Sequence, residues 1–410
     1  MAVEHRGRII DVRRTADGYA VLLRSQGTYR SFTLRDPRQD IVVGSLVRVR
    51  EDAPGSAHVV EILGTPTTAW DAQGDGLRWS RPGYAGRADH LHKRQTIVRE
   101  IREDFYEQGF LEFETPLLVP GTCPDADIAS VQTTDGQYLV TSTEYQLKRL
   151  VVGGFDQVFS LTKNFRAGDR GRFHSVEFTM LEWARAWESL AVIEDDAERF
   201  IRRAFRAVGG SAKSTNVNGH AVEIDGERWE RLPLRAALER YLGVEVDGEF
   251  SLASMRHGAD AAGLRLPNTF RDDEHLVISF LLDELQRHLG FPRPTFLREW
   301  PAFMTSSAGL SNDNPALAER SELYIGGVEV SDGFPFLRDP ALQRAAFVRE
   351  NARRSQRGVS PVKLDERYLA SLEQGLPPGA GMALGVDRLV AALVGADGIA
   401  DVLPFVGDEL

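Results

Sequence analysis

Residues 165–183 read FRAGDRGRFHSVEFTMLEW, and residues 379–389 read GAGMALGVDRL. The first stretch joins two runs with strand-like apolar alternation, VFSLTKNF at 158–165 and VEFTMLEWARAW at 176–187, through the loop GDRGRFH. The connection is too short for a crossover helix, which favours antiparallel pairing. Arg166 stands at the end of the outgoing strand, and Glu177, Phe178, Glu182 and Trp183 lie on the returning one. In the second stretch a Gly-rich strand turns into a helix and places Asp387 and Arg388 at the turn. Between them in sequence, Glu322 and Glu329 flank YIGGV, and Asp332 follows. Charged groups inside apolar strands are costly unless paired or liganded, so this set is either a buried ion-pair network or a site for a polyanion with metal. A Phe face beside arginines suits an adenine ring, and arginines with acids able to hold Mg²⁺ suit a triphosphate. Together they suggest ATP.

Outward from this centre, an amphipathic helix is expected over 90–108, with Ile97, Val98, Ile101 and Phe105 on one face and Gly109 as its stop. LEFETPLL at 111–118 and QYLVTS at 137–142 read as further strands, with helices at 189–208, 276–289 and 340–356 and strands at 321–331 and 380–385. Residues 90–410 are therefore an α+β unit around a mostly antiparallel sheet. Residues 1–65 differ: five short apolar runs separated by the turns ADG, DPRQD and APGS read as a small OB-like β-barrel. Residues 66–89, rich in Gly, Pro, Asp and Thr without a period, read as a linker.

The chain has 410 residues, 42% hydrophobic and 27% charged, a folded globular composition that excludes disorder and collagen-like rods. Its one cysteine, Cys123, cannot form an internal disulfide, and no Cys/His cluster offers a zinc site. With a charged start, MAVEHRGRII, and no apolar run near the roughly 18 residues of a membrane helix, a cytoplasmic protein is expected. The net charge is -11, while residues 1–65 carry ten arginines and eight acids, so indiscriminate attraction to nucleic-acid backbones is excluded. GxGxxG, P-loop, HExxH and GxSxG patterns are absent, which removes the usual dinucleotide, P-loop, zinc-protease and serine-hydrolase readings.

The quoted motifs resemble those of class II aminoacyl-tRNA synthetases: FLEFETPLL at 110–118 is similar to motif 1, FRAGDRGRFHSVEFTMLEW to motif 2 and GAGMALGVDRL to motif 3. TSTEYQLKRLVVGG at 141–154 and ERSELYIGGVEVSDGF at 319–334 resemble the lysyl-tRNA synthetase branch, including its truncated relative, the ligase that attaches β-lysine to elongation factor P. The resemblance covers residues 90–410. It implies an antiparallel sheet flanked by helices, a homodimer through motif 1, and amino-acid activation, in which a carboxylate attacks the α-phosphorus of ATP and pyrophosphate leaves. The carboxylate is already ionised at pH 7, so catalysis rests on positioning and charge neutralisation. By the same resemblance Arg166 bridges the α-phosphate and the substrate carboxylate, Phe178 stacks on adenine with Arg388 on the opposite face, Arg172 and His174 touch the phosphates, and Glu322 and Glu329 hold Mg²⁺. Glu144 holds the substrate's amino group and Glu182 lines its side-chain pocket.

Four positions depart from the lysine-specific pattern. Gly168 replaces the motif 2 glutamate that helps to read adenine, leaving Asp169 or a backbone group to take its place. Ala184 replaces a tyrosine, Phe336 replaces the glutamate that meets the lysine ε-ammonium, and Asp332 replaces an asparagine near the substrate carboxylate. A buried ammonium stripped of a carboxylate and a hydroxyl is poorly compensated, so plain L-lysine is disfavoured. An extra charge at Asp332 calls for an amino group beside it, as in a β-amino acid, or for contact with Arg166 or Mg²⁺. The expected function is an ATP-dependent ligase that activates a β-amino or other non-standard amino acid, or one with a shorter or more apolar side chain than lysine, and transfers it to an amine on a protein or small molecule. A tRNA-charging enzyme and a catalytically silent paralogue are the alternatives; the barrel, with only Tyr19, Tyr29 and Phe32 as aromatics, argues against anticodon reading.

Overall fold

The computed structural model describes residues 3–406 apart from 17, 26–27, 35–40, 68–84, 210–211 and 312. It divides into two compact units, Met1–Gln95 with Ala400–Leu410, and Thr96–Ile399. The expected DPRQD turn and most of the expected linker lie outside the described residues.

The first unit holds β1 (Val3–Thr15), β2 (Gly18–Ser25), β3 (Thr28–Leu34), β4 (Leu46–Ala53) and β5 (Ser56–Gly64), closed into a barrel in the order β1-β2-β3-β5-β4. Alternate residues point inward, as the pleat requires: Val21 and Leu23 on β2, Phe32 and Leu34 on β3, Val47 and Val49 on β4, Ala57 and Val59 on β5. All five strands read from the sequence are present. The aromatics serve the barrel itself. Phe32 is buried in the core, Tyr19 packs against that core, and Tyr29 lies 5.2 Å beneath the Arg24 guanidinium.

The elements that follow are α1 (Ala85–Glu107), β6 (Leu111–Glu112), β7 (Leu118–Val119), β8 (Tyr138–Leu139), α2 (Glu144–Val152), β9 (Gln157–Phe165), β10 (Glu177–Ala186), α3 (Leu190–Gly209), β11 (Ser214–Val217), β12 (His220–Glu223), β13 (Glu230–Pro233), α4 (Leu234–Leu242), α5 (Leu252–Ala261), α6 (Glu274–Gln286), β14 (Thr295–Pro301), β15 (Leu317–Ile325), β16 (Val328–Pro335), α7 (Pro340–Gln356), α8 (Glu366–Leu372), β17 (Gly379–Gly385) and α9 (Val386–Val394). Eight strands form one sheet in the order β13-β14-β15-β16-β17-β10-β9-β6. It is antiparallel except at its two ends, where β13 pairs with β14 and β6 with β9 in parallel. The α+β reading holds. The strand-like runs at 111–118 and 137–142 do not become long strands: each contributes two-residue ladders, and among the described residues β7 pairs only with β8.

Strand β10 is buried on both faces, and each face has its own task. Trp183 faces α1 and α3, packing edge-on against Phe105 and Phe200, with Phe159 of β9 stacked on Phe105 at 4.7 Å. On the same side Arg185 forms a buried pair with Asp196 at 2.7 Å, and Glu194 accepts from Ser321 at 2.8 Å and from Arg231 at 2.9 Å. The residues between, Phe178, Met180, Glu182 and Ala184, share the other face, because side chains alternate along a strand. Strand register extends that face sideways: Glu182 lies opposite Ala383, Ala383 opposite Asp332, and Asp332 opposite Glu322, a single row across four strands.

Candidate functional site

Two adjoining cavities open over this face. One, about 170 Å³, is lined among others by Asp125, Glu144, Lys148, Glu182, Arg320 and Phe336. The other, about 90 Å³, is lined among others by Asp169, His174, Phe178, Glu329, Asp387 and Arg388. Four residues line both: Arg166, Met180, Asp332 and Ala383. The site expected from sequence is thus split into two compartments with Arg166 at their seam. The Arg166 guanidinium lies 5.3 Å from the Phe178 ring, and its buried Nε has no hydrogen-bond partner among the described residues.

The smaller cavity carries the nucleotide-type groups. Arg388, at the first turn of α9, donates to the Phe173 carbonyl at 3.0 Å, the Glu329 carbonyl at 2.9 Å and the Glu329 carboxylate at 3.2 Å. Its third nitrogen donates to His174 Nε2 at 2.7 Å. Arginine can only donate, so Nε2 is the acceptor and the neutral ring carries its proton on Nδ1. Burial, with Arg388 beside it, holds the His174 pKa below the usual imidazole range. Asp387 accepts from the Thr179 amide at 2.9 Å, which locks the start of α9 to β10. At the motif 2 turn, Gly168 has φ +80°, in the left-handed region where a glutamate would be strained. Asp169, next to Gly168, lines the cavity. Arg172 lies elsewhere: it donates to the Asp397 carbonyl, its guanidinium is 4.9 Å from the Phe173 ring, and it lines a separate surface pocket with His220 and Arg287.

The larger cavity is organised by paired charges. Arg320, unmarked in the sequence, donates to Asp332 at 2.9 Å, Glu322 at 2.7 Å and the Met304 carbonyl at 2.9 Å, and lies 4.5 Å from the Trp300 ring. The charge at Asp332 is thus met by an internal guanidinium, not by Arg166. Burial raises the Asp332 carboxyl against the pull of Arg320. It pushes Glu322 up to about 8, with Glu329 and Asp332 adding to the shift. Glu322 also accepts from the Tyr324 hydroxyl at 2.7 Å and lines neither cavity. Glu144 accepts from the buried Lys148 ammonium at 2.6 Å, and that ammonium lies 5.4 Å from both the Phe334 and the Phe336 ring. Glu182, 4% exposed, accepts from the Ser142 hydroxyl and from both the amide and the hydroxyl of Thr143. It therefore tethers the start of α2, whose cap residue Thr143 makes no side-chain bond of its own to the helix. Ala184 and Phe336 belong to one apolar cluster with Tyr145, Phe347 and Tyr368. The Phe336 ring packs so close to Gly379 that a Cβ there would meet it at 2.7 Å.

The donor set fits ATP: an aromatic platform at Phe178, two guanidinium groups, and a neutral His174 between loop and helix. For Mg²⁺ no group of three candidate ligands exists among the described residues. Mg²⁺ with a nucleotide needs only one or two carboxylates, the phosphates and water completing its shell. Glu329, facing the cavity, fits; Glu322, already holding Arg320 and Tyr324, fits only through what capacity those bonds leave it. Sequence reading missed Arg320, Lys148 and Asp125. For Lys148 a signal existed, a cation on the apolar face of a short helix.

The family of tRNA synthetases class II (D, K and N) matches residues 84–409. Among curated proteins the chain is similar to the elongation factor P (R)-beta-lysine ligase of Photorhabdus laumondii, 34% identical over 328 residues that cover 77% of this chain and 94% of the relative. The proteins of the same name from Pectobacterium atrosepticum and Proteus mirabilis are each 33% identical, with the same coverage.

Proposed function

We infer the function from one premise: the chain belongs to the class II tRNA synthetase family, in its D, K and N group. It is an ATP-dependent amino-acid ligase. The amino acid, held in the larger cavity, is a β-amino or otherwise non-standard acid and not plain L-lysine. Its carboxylate oxygen attacks the α-phosphorus of ATP, an O–P bond forms, and pyrophosphate leaves with the electron pair of the broken P–O bond. An amine then attacks the acyl carbon of the adenylate, AMP departs and the amine loses a proton. Arg166 supports this most directly, an arginine at the seam where the substrate carboxylate and the α-phosphate must meet. Phe178 supplies the adenine platform; Arg388, steered by His174 and Glu329, supplies cationic charge to the phosphates. Mg²⁺ at Glu329, with Glu322 behind it, would neutralise phosphate charge.

The acceptor is an amine on a protein, and a lysine of elongation factor P is the first candidate, from the names of the relatives. The barrel favours this over tRNA charging: its aromatics are committed to its own fold, and Arg48 and Arg50 pair with Glu61 and Glu4 at 2.8 Å. A homodimer through the motif 1 segment fits the exposure of Leu111, Leu117 and Leu118 there, and sedimentation will test it. ATP–pyrophosphate exchange over a panel of α- and β-amino acids tests the activation step, followed by mass spectrometry of elongation factor P and a charging assay with total tRNA. Exchange with L-lysine alone, or with nothing, refutes the reading.

A further inference from the structure

Four acids line the larger cavity, and three have internal partners. Glu144 is bound to Lys148, Asp332 to Arg320, and Glu182 to three donors at the start of α2. Asp125 differs. Its carboxylate accepts one hydrogen bond, from the Asp127 amide at 2.8 Å, and no cation pairs with it among the described residues. The loop that carries it is fixed: Arg354 donates to the Asp125 carbonyl at 2.9 Å and the Ile128 carbonyl at 2.8 Å, and the Ala126 amide donates to Glu350 at 3.3 Å. An acid held in a rigid, partly desolvated wall without a counter-charge is a receptor for one. Burial raises the Asp125 carboxyl, against the opposing pull of the Asp127 amide and of the charge of Arg320, which makes no bond to it.

The other end of the cavity has the opposite character. Ala184, Phe334 and Phe336 are apolar, and the ammonium among them belongs to the protein, since Lys148 lies 3% exposed between the two phenylalanine rings. A second ammonium placed there meets like charge and finds no carboxylate that is not already engaged.

We infer that Asp125 is the ammonium-binding residue of this cavity, so that the enzyme activates a monoamino acid, its amino group on Asp125, its carboxylate on Arg166 and an uncharged side chain against Ala184, Phe334 and Phe336. This rests on the reading of the site as one that activates amino acids, and it narrows the substrate to acids with a single amino group.

Pyrophosphate exchange by the full chain with β-alanine, β-leucine, β-phenylalanine, L-leucine, L-lysine and β-lysine separates the outcomes. The expected result is activation of a monoamino acid with kcat/KM about 100-fold or more above that of either diamino acid, the scale of an uncompensated buried charge. A preference for β-lysine overturns this inference and leaves the ligase reading standing; no exchange with any of the six overturns both. Asp125→Asn, which keeps shape and the Asp127 contact, should raise KM for the preferred amino acid about 30-fold or more while KM for ATP stays within about 2-fold. An unchanged amino-acid KM in a variant that melts like the wild type removes Asp125 from the role.

Discussion

The tethering of α2 by Glu182 can be tested as a graded loss of acceptors. Glu182→Leu keeps most of the volume and removes both oxygens. The Thr143 amide, in a residue 1% exposed, is then left without a partner, which costs about 1–3 kcal/mol, and the hydroxyls of Ser142 and Thr143 each lose a bond worth about 1 kcal/mol. The expected destabilisation is therefore about 3–5 kcal/mol. Glu182→Gln keeps one oxygen for Thr143 and turns its amide toward Ser142, whose hydroxyl can rotate to accept. It loses the charge-assisted part of each bond but leaves no orphan, and about 1–2 kcal/mol is expected. Urea unfolding at pH 7 measures both, and hydrogen exchange of the Thr143–Leu147 amides should rise in Glu182→Leu before global unfolding begins. If Glu182→Leu unfolds within about 1 kcal/mol of the wild type, or if Gln is as damaging as Leu, the acceptor count is the wrong explanation.

Arg166→Ala should lower the exchange rate about 10²–10³-fold without a comparable loss of stability, with Arg166→Lys intermediate because it keeps charge but not the planar fork. Because His174 accepts from Arg388 only when neutral and its pKa lies below the ordinary imidazole value, kcat/KM for ATP should stay flat down to the ordinary histidine range and fall only on further acidification. His174→Gln, which keeps an acceptor that cannot protonate there, should remove that acid limb, and an unchanged profile would refute the assignment. Arg320→Met should cost about 3–5 kcal/mol by leaving Asp332 and Glu322 without their cation, part of which Asp332→Asn restores in the same background; calorimetry of the two variants beside the wild type decides it.

Periodicity exposed what local pattern controls. The barrel strands, the β9–β10 hairpin and α3 each repeat an apolar side at the spacing of their own backbone, so their existence could be read directly. The runs at 111–118 and 137–142 misled because extended chain buries alternate residues whether or not a long ladder forms; here β6 meets β9 through only Leu111 and Glu112. Helix α2 escaped because EYQLKRLVV is nine residues with an apolar, β-branched end, too short for the helical period to outweigh the strand-like one. The departures at Gly168, Ala184 and Phe336 were visible as residue types, yet their consequences depend on φ at 168 and on the cluster around Phe336, which only the fold supplies. Arg172 shows the complementary limit: its loop was identified, but the side of the loop it takes is decided by the Asp397 carbonyl, 225 positions away in the chain.

The same dependence on distant partners explains why Arg166 remains available. Asp332 is the one acid that lines both cavities, as Arg166 does, and two such groups at one seam would ordinarily satisfy each other. Arg320 prevents this by taking Asp332 at 2.9 Å, itself anchored by Glu322, the Met304 carbonyl and the Trp300 ring. Arg388 is held by the Phe173 and Glu329 carbonyls, the Glu329 carboxylate and His174, while Asp387 takes the Thr179 amide. An anionic ligand entering between the cavities meets a guanidinium at Arg166 whose Nε still lacks a partner, so binding need not first break an ion pair.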